Sequence, residues 1–196
     1  MIDIFLSASI PLPTRNRMFF DTADVLLIRE AVKALVEVVL PSGRITYGGH
    51  PAITPLIALF VRDAGLDGDR LAIFQSRFFA NELPSENRDF IHVNLVPAVS
   101  AGREASLSAM REAMLSSRRF AAAVLIGGME GIFEELAVFR RLHPTAAILP
   151  LASTGAAAAI VHKQGNFDPE LANDLTYASL FRRRLLSLDD SEHTPH

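Results

Sequence analysis

A chain of 196 residues with 49 % apolar and 21 % charged residues is long enough to bury a substantial core without staples. Its lack of cysteine excludes disulfides, thiolate metal sites and a thiol nucleophile. A formal charge of −3 argues against a general nucleic-acid binder, and no run approaches the ~18 uninterrupted apolar residues of a membrane helix. The opening Met1-Ile2-Asp3-Ile4-Phe5-Leu6 lacks a basic lead and is too short for a signal segment. A cytoplasmic protein with neither nucleic acid nor membrane as partner is expected.

Ile2 to Leu6 reads as a first, central strand that opens into the small-residue loop Ser7-Ala8-Ser9-Ile10-Pro11. Pro11, Pro13 and Asn16 predict an irregular loop as far as Phe20. Asp21 offers an N-cap, with Asp24 in the first turn, for a long helix reaching Leu40. Its inner face is Val25, Ile28, Val32, Leu35, Val36 and Val39. Beyond Pro41-Ser42-Gly43, Arg44 to Tyr47 is a brief strand, and Gly48-Gly49-His50-Pro51 turns into a helix running to about Ala64. Arg70 to Gln75 is a third strand. An aromatic and polar stretch with Phe78 and Phe79 follows, and Ile91 to Val96 is a fourth strand.

Arg103 to Ser117 is helical, with Leu107, Met110 and Met114 as its inner stripe. Phe120 to Ile126 is a strand that runs through the glycines Gly127, Gly128 and Gly131 into a helix over Glu130 to Leu142. Ala146 to Leu151 is a last strand, closing in Ser153-Thr154-Gly155. A short helix over Ala156 to Val161 and a final one over Asp174 to Leu188 complete the pattern. One domain over 1–188 is expected, with a frayed tail over 189–196. Strands alternate with helices throughout, which predicts an α/β fold with a doubly wound, mainly parallel sheet and helices on both faces. Such sheets bind ligands beyond the carboxyl ends of their strands. Four strand ends carry small, polar or glycine residues, so one shared pocket is expected from Ser7–Ser9, Gly48–His50, Gly127–Gly131 and Ser153–Gly155.

Gly127, Gly128 and Gly131 sit where a strand meets a helix, and a helix start aims unpaired N–H groups at an anion. A tight turn that only reverses the chain is the alternative. Glu134 and Glu135 fall in the first turns of that helix, where carboxylates often just complement the dipole. Glu135, however, lies on the inward stripe with Ile132 and Phe139 and needs a partner, a ligand hydroxyl or an arginine. Arg111 borders the buried stripe of Leu107 and Met114, so it either snorkels or faces a phosphate or Glu135. His50 is a ligand contact or a local hydrogen-bonding group. Ser7 and Ser9 show no nucleophile-elbow pattern and suit bonds to ribose or phosphate. Phe78 and Phe79 either stack on a base or belong to the core. The six histidines show no metal-ligand spacing, so neither a metal site nor a cofactor is expected.

On these motifs the chain resembles the SLOG superfamily, the Rossmann-like group that includes the cytokinin-activating LOG phosphoribohydrolases. The LOG signature P-G-G-x-G-T-x-x-E is similar to the stretch from Ile126 to Glu135. Ile126 replaces the proline, Glu130 is one residue extra, and Ile132 stands where threonine is usual. Met110-Arg111 resembles the LOG helix that supplies an arginine, and Tyr47-Gly48-Gly49 matches the Y-G-G of its second strand. Ser7-Ala8-Ser9, Gly48-Gly49-His50-Pro51, Gly127-Gly128-Met129-Glu130-Gly131 and Ser153-Thr154-Gly155 look more like the SLOG domains that accompany TIR and other effectors in bacterial anti-phage and nucleotide-signalling systems.

The resemblance implies a Rossmann-like fold and a sensor of ADP-ribose, a cyclic ADP-ribose isomer or an NAD-like ligand. Ser7, Ala8, Ser9, Gly48, Gly49, His50, Arg111, Gly127–Gly131, Glu134, Glu135 and Ser153–Gly155 would hold it. A homo-oligomer and an effector domain or protein are the implied partners. The alternative is a phosphoribohydrolase that cleaves the N-glycosidic bond of a nucleoside 5′-monophosphate, with Arg111 and Glu135 as its catalytic pair.

Overall fold

The apolar run near the N-terminus becomes the central strand β1 (Asp3–Ser9), buried on both faces as a parallel strand must be. The computed structural model describes residues 1–90 and 92–188. Around β1, the strands β2 (Arg44–Tyr47), β3 (Leu71–Ser76), β4 (His92–Val96), β5 (Ala122–Gly127) and β6 (Ala147–Leu151) form a parallel sheet in the order β4-β3-β2-β1-β5-β6. The chain steps outward from β1 to β4, then returns to lay β5 beside β1. That reversal is the switch point at which open α/β sheets bind ligands. The fold is Rossmann-like, as the alternation of strand and helix predicts.

Helices α2 (Val25–Val39), α3 (Thr54–Asp63) and α8 (Tyr177–Phe181) cover one face, with Ile28, Leu35, Ile57 and Phe181 fully buried there. Helices α4 (Arg103–Ser116), α5 (Gly131–Leu142) and α6 (Ala156–Gln164) cover the other, where the rings of Phe5, Phe120 and Phe139 cluster with centroids 5.8–6.2 Å apart. Met110 and Met114 are buried within this second core, as the inner stripe of α4 predicts. No helix among the described residues is long and apolar enough to cross a membrane.

The local differences from the sequence reading have identifiable causes. The loop before α2 contains a short helix, α1 (Arg17–Phe20), because Asn16 caps it by accepting from the Met18 amide. Asp21 closes α1 instead of opening α2. Asp24 is the N-cap of α2, accepting from the Leu27 amide at 3.0 Å. The third helix begins at Thr54 and not at Pro51, since the His50 carbonyl first accepts the Ile53 and Thr54 amides in a tight turn. Near the C-terminus, α7 (Glu170–Asn173) ends where the Asp174 side chain accepts the Thr176 amide at 2.7 Å, and α8 starts only at Tyr177. Ile91, the expected first residue of the fourth strand, and the expected tail 189–196 lie outside the described residues.

Candidate functional site

A cavity of about 600 Å³ opens above the carboxyl ends of β1, β2 and β3, between the α4 and α5 walls. Ligand pockets fall in this size range. Its floor is Ser7, Ala8 and Ser9 from β1, with Gly48, Gly49 and His50 from the turn after β2. Arg111 enters from α4, and Met129, Glu130, Gly131, Glu134 and Glu135 enter from the opening of α5. Twelve of the sequence-predicted residues therefore share one space.

Four polar side chains cluster at one end of the cavity. Ser7 Oγ donates a hydrogen bond to Glu135 Oε2, and Arg111 Nη1 donates one to Glu134 Oε2. Arg111 Nε lies 3.9 Å from Glu135 Oε1, beyond hydrogen-bond reach, and is buried with no acceptor among the described residues. Gly131 makes room for the guanidinium, since a Cβ there would stand 3.4 Å from Arg111 Nη2. Gly48 stands on the far side, where a Cβ would lie 3.9 Å from Glu135 Oε1. Burial raises the Glu135 carboxyl above the ordinary carboxylate range. The Ser7 hydrogen bond and Arg111 lower it, and Glu134 acts in the same direction as burial.

His50 is half-buried, and its Nδ1 accepts the Ala52 amide at 3.2 Å, which leaves the proton of the neutral ring on Nε2. Burial lowers its pKa to about 4, helped by the positive charge of Arg15. Because the folded value lies below the unfolded one, the fold binds fewer protons between about pH 6.5 and 4. Stability associated with His50 is present above pH 6.5 and lost as pH falls through 4. The expected loss across that window is about 3 kcal/mol, at ~1.4 kcal/mol per unit. Urea unfolding of wild type and His50→Asn checks this: the pH slope flattens in the variant if His50 causes it, and stays the same if other groups do.

Five predicted residues lie off the cavity lining, and each has another task. Gly127 and Gly128 take φ of +57° and +87°, and their amides are already used. Gly127 N–H donates to Thr154 Oγ1 at 2.8 Å, and Gly128 N–H donates to the Ser9 carbonyl at 2.9 Å. A Cβ on Gly128 would sit 2.0 Å from Ile132 Cδ1. At these two glycines the tight-turn reading describes the geometry. Thr154 also donates to the Leu151 carbonyl at 2.6 Å, Ser153 bonds Tyr177, and Gly155 packs on the backbone of Thr22. The end of β6 is thus braced against α2 and α8 and not turned toward the cavity.

The cavity also recruits Phe79, a candidate for base stacking, and Leu107 from the inner stripe of α4, together with Arg15, Gln75, Glu82, Leu83, Arg103 and Glu104, to which the sequence assigns no site role. Gln75 and its neighbour Ser76 end β3, so the rule applied to the other strand ends would have found them. The rest come from helix and loop surfaces with no periodic signal. In all, three arginines and five glutamates line the space (Arg15, Arg103 and Arg111 against Glu82, Glu104, Glu130, Glu134 and Glu135). The cavity is not a simple anion trap; its deep end offers acceptors as well as donors.

A sequence profile described as the SLOG cluster3 family matches residues 18–185. The chain belongs to the SLOG cluster3 family. That span contains β2 to β6, α4 and α5, and so all of the cavity except the end of β1 and the loop that follows it. This SLOG chain is also similar in fold to a solved structure titled as the X-ray structure of TM1055, a structural-genomics target. The TM-score is 0.61 at 13 % identity, covering 94 % of this chain and 100 % of that one. At that identity the likeness speaks for the fold alone. No curated protein matches the chain in sequence.

Proposed function

We propose that this SLOG domain senses a nucleotide-derived ligand of the ADP-ribose, cyclic ADP-ribose or NAD-like class. The family match supports a nucleotide-related binding or glycosidase-like domain. The observation that carries the finer reading is the buried Arg111 Nε, a charged donor without an acceptor among the described residues, beside the Ser7–Glu135 pair in a cavity of ligand size. Such a donor is costly to leave unmade, so an oxygen reaching it from the cavity is favoured. Ribose hydroxyls donate to Glu135 and bond Ser7, which Gly48 leaves reachable. A phosphoryl group takes the opening of α5, where the positive end of the helix dipole and Arg111 converge.

Glu134 competes for that arginine. Its side chain is 52 % exposed, so the pair is worth at most about 1 kcal/mol. Glu134→Gln is therefore expected to strengthen binding of a phosphorylated ligand by up to about fivefold. Calorimetry of both proteins at low salt checks this, and weaker binding in the variant contradicts it. Ligand binding then acts by differential affinity, shifting a homo-oligomer or a joined effector between states, as in bacterial defence or nucleotide signalling.

The hydrolase reading has one observation in its favour: Arg111 and Glu135 meet in a single cavity, as cleavage of an N-glycosidic bond requires. Against it, Ile132 stands where the LOG threonine belongs, and the Gly127 and Gly128 amides are committed internally. The test is a thermal-shift series with AMP, ADP-ribose, NAD and cyclic ADP-ribose isomers, each incubation then analysed by chromatography. A stabilised protein with intact ligand is expected. Free base with ribose phosphate would make the protein a hydrolase.

A further inference from the structure

The cavity extends well past the groups that hold ribose and phosphate in the reading above. Its far end lies over the end of β3 and the start of α4 and is built from Gln75, Phe79, Glu82, Leu83, Arg103 and Leu107. The Arg103 guanidinium carbon is 5.7 Å from the centre of the Phe79 ring. The exposed Phe78 ring packs against it at 71°, with centroids 5.1 Å apart. An aromatic face beside a planar cation is a platform for a flat heteroaromatic ring, because stacking and cation–π attraction act on the same guest. Leu83 and Leu107 supply apolar walls.

Gln75 adds a means of reading the edge of such a ring. It is 5 % exposed and held at both ends of its amide. Its Nε2 donates to the Gly49 carbonyl at 2.8 Å, and its Oε1 accepts from Asn87 Nδ2 at 2.5 Å. A primary amide has two donor hydrogens and two acceptor lone pairs. Each end of Gln75 therefore keeps one further hydrogen-bonding position, in a side chain that cannot swing away.

We propose that this end of the cavity is a nucleobase subsite, in which a purine-type base stacks on the Phe79–Arg103 pair and Gln75 bonds its edge. The proposal rests on the nucleotide reading and extends it, since it requires the ligand to carry a base beyond its ribosyl phosphate. It also selects the stacking role for Phe79 over the core role that two phenylalanines after a strand would otherwise suggest.

Ligand-observed NMR with adenosine and, separately, ribose 5-phosphate tests the two ends independently, on wild type, Phe79→Ala and Phe79→Leu. Phe79→Leu keeps bulk without the aromatic face and guards against a folding defect in the alanine variant. Wild type is expected to bind both probes. Both variants are expected to lose adenosine affinity by about tenfold, within the range of base stacking on a ring, and to hold ribose 5-phosphate unchanged. Adenosine affinity that survives in Phe79→Leu, or equal loss of both probes, overturns the subsite. If wild type binds adenosine but not ribose 5-phosphate, the ribosyl-phosphate reading fails and the subsite stands. Binding of ribose 5-phosphate without adenosine does the reverse, and binding of neither overturns both.

Discussion

Arg111→Ala is expected to weaken ADP-ribose binding by about 10- to 150-fold, the ~1.5–3 kcal/mol of a hydrogen bond to a charged group. Arg111 is the only arginine among the described residues that pairs with both Glu134 and Glu135, and it is only 9 % exposed. Removing it takes away the donor without an acceptor and leaves Glu135 with no opposing charge. The Glu135 carboxyl then moves further above the ordinary range, and the deep end of the cavity becomes purely acidic. Losing a buried ion-pair partner also costs stability, so Arg111→Lys is the companion variant. Lysine restores the charge but not the planar fork. It should fold normally and still bind more weakly than wild type. Calorimetric titration of the three proteins measures this, and an Arg111→Ala protein that binds like wild type would remove Arg111 from the site.

The largest stability effect is expected at a residue that does not touch the cavity. Gly155 takes φ +73° and ψ −158°, a region open essentially to glycine alone. A Cβ there would stand 1.8 Å from the Thr22 carbonyl oxygen, a backbone atom that no rotamer change can move. Backbone strain of ~1–3 kcal/mol adds to the displacement of the segment between α1 and α2. That segment is tied to the same loop by the Asp24 amide, which donates to the Thr154 carbonyl at 3.2 Å. Gly155→Ala is therefore expected to cost about 4 kcal/mol or more and to lower Tm by roughly 10 °C. Differential scanning calorimetry decides it. A drop of only a few degrees would show that the loop relaxes around the new side chain.

Gly155 also shows where reading the sequence reaches its limit. Glycine, threonine and serine at a strand end are compatible with ligand approach and with close backbone packing, and residue type does not distinguish them. What separates them is strand order. Because β6 lies beyond β5, on the side of β1 away from β2 and β3, its end is braced by Thr22, Asp24 and Tyr177 instead of facing the cavity. The strand and helix pattern was legible because buried parallel strands are continuous apolar runs and the helices carry clear inner stripes. The convergence of Ser7, Gly48, Arg111 and Glu135 was legible because all parallel strands end on one edge of the sheet. Arg15 and Arg103 were not, since they reach the cavity from an irregular loop and the first turn of a helix, where no period marks an inward face. Asp21 and Asp24 illustrate a smaller ambiguity. Two aspartates three apart are both good caps, and the short helix α1 assigns each to a different one.

The proposed function requires a nucleotide-derived ligand to occupy the cavity above β1, β2 and β3. Backbone amide NMR during titration with ADP-ribose tests it most directly. Saturable shifts are expected at Ser7–Ser9, Gly48–His50 and Met129–Gly131, with Gly155 and its neighbours undisturbed. Shifts confined to other surfaces, or none at saturating ligand, would contradict it.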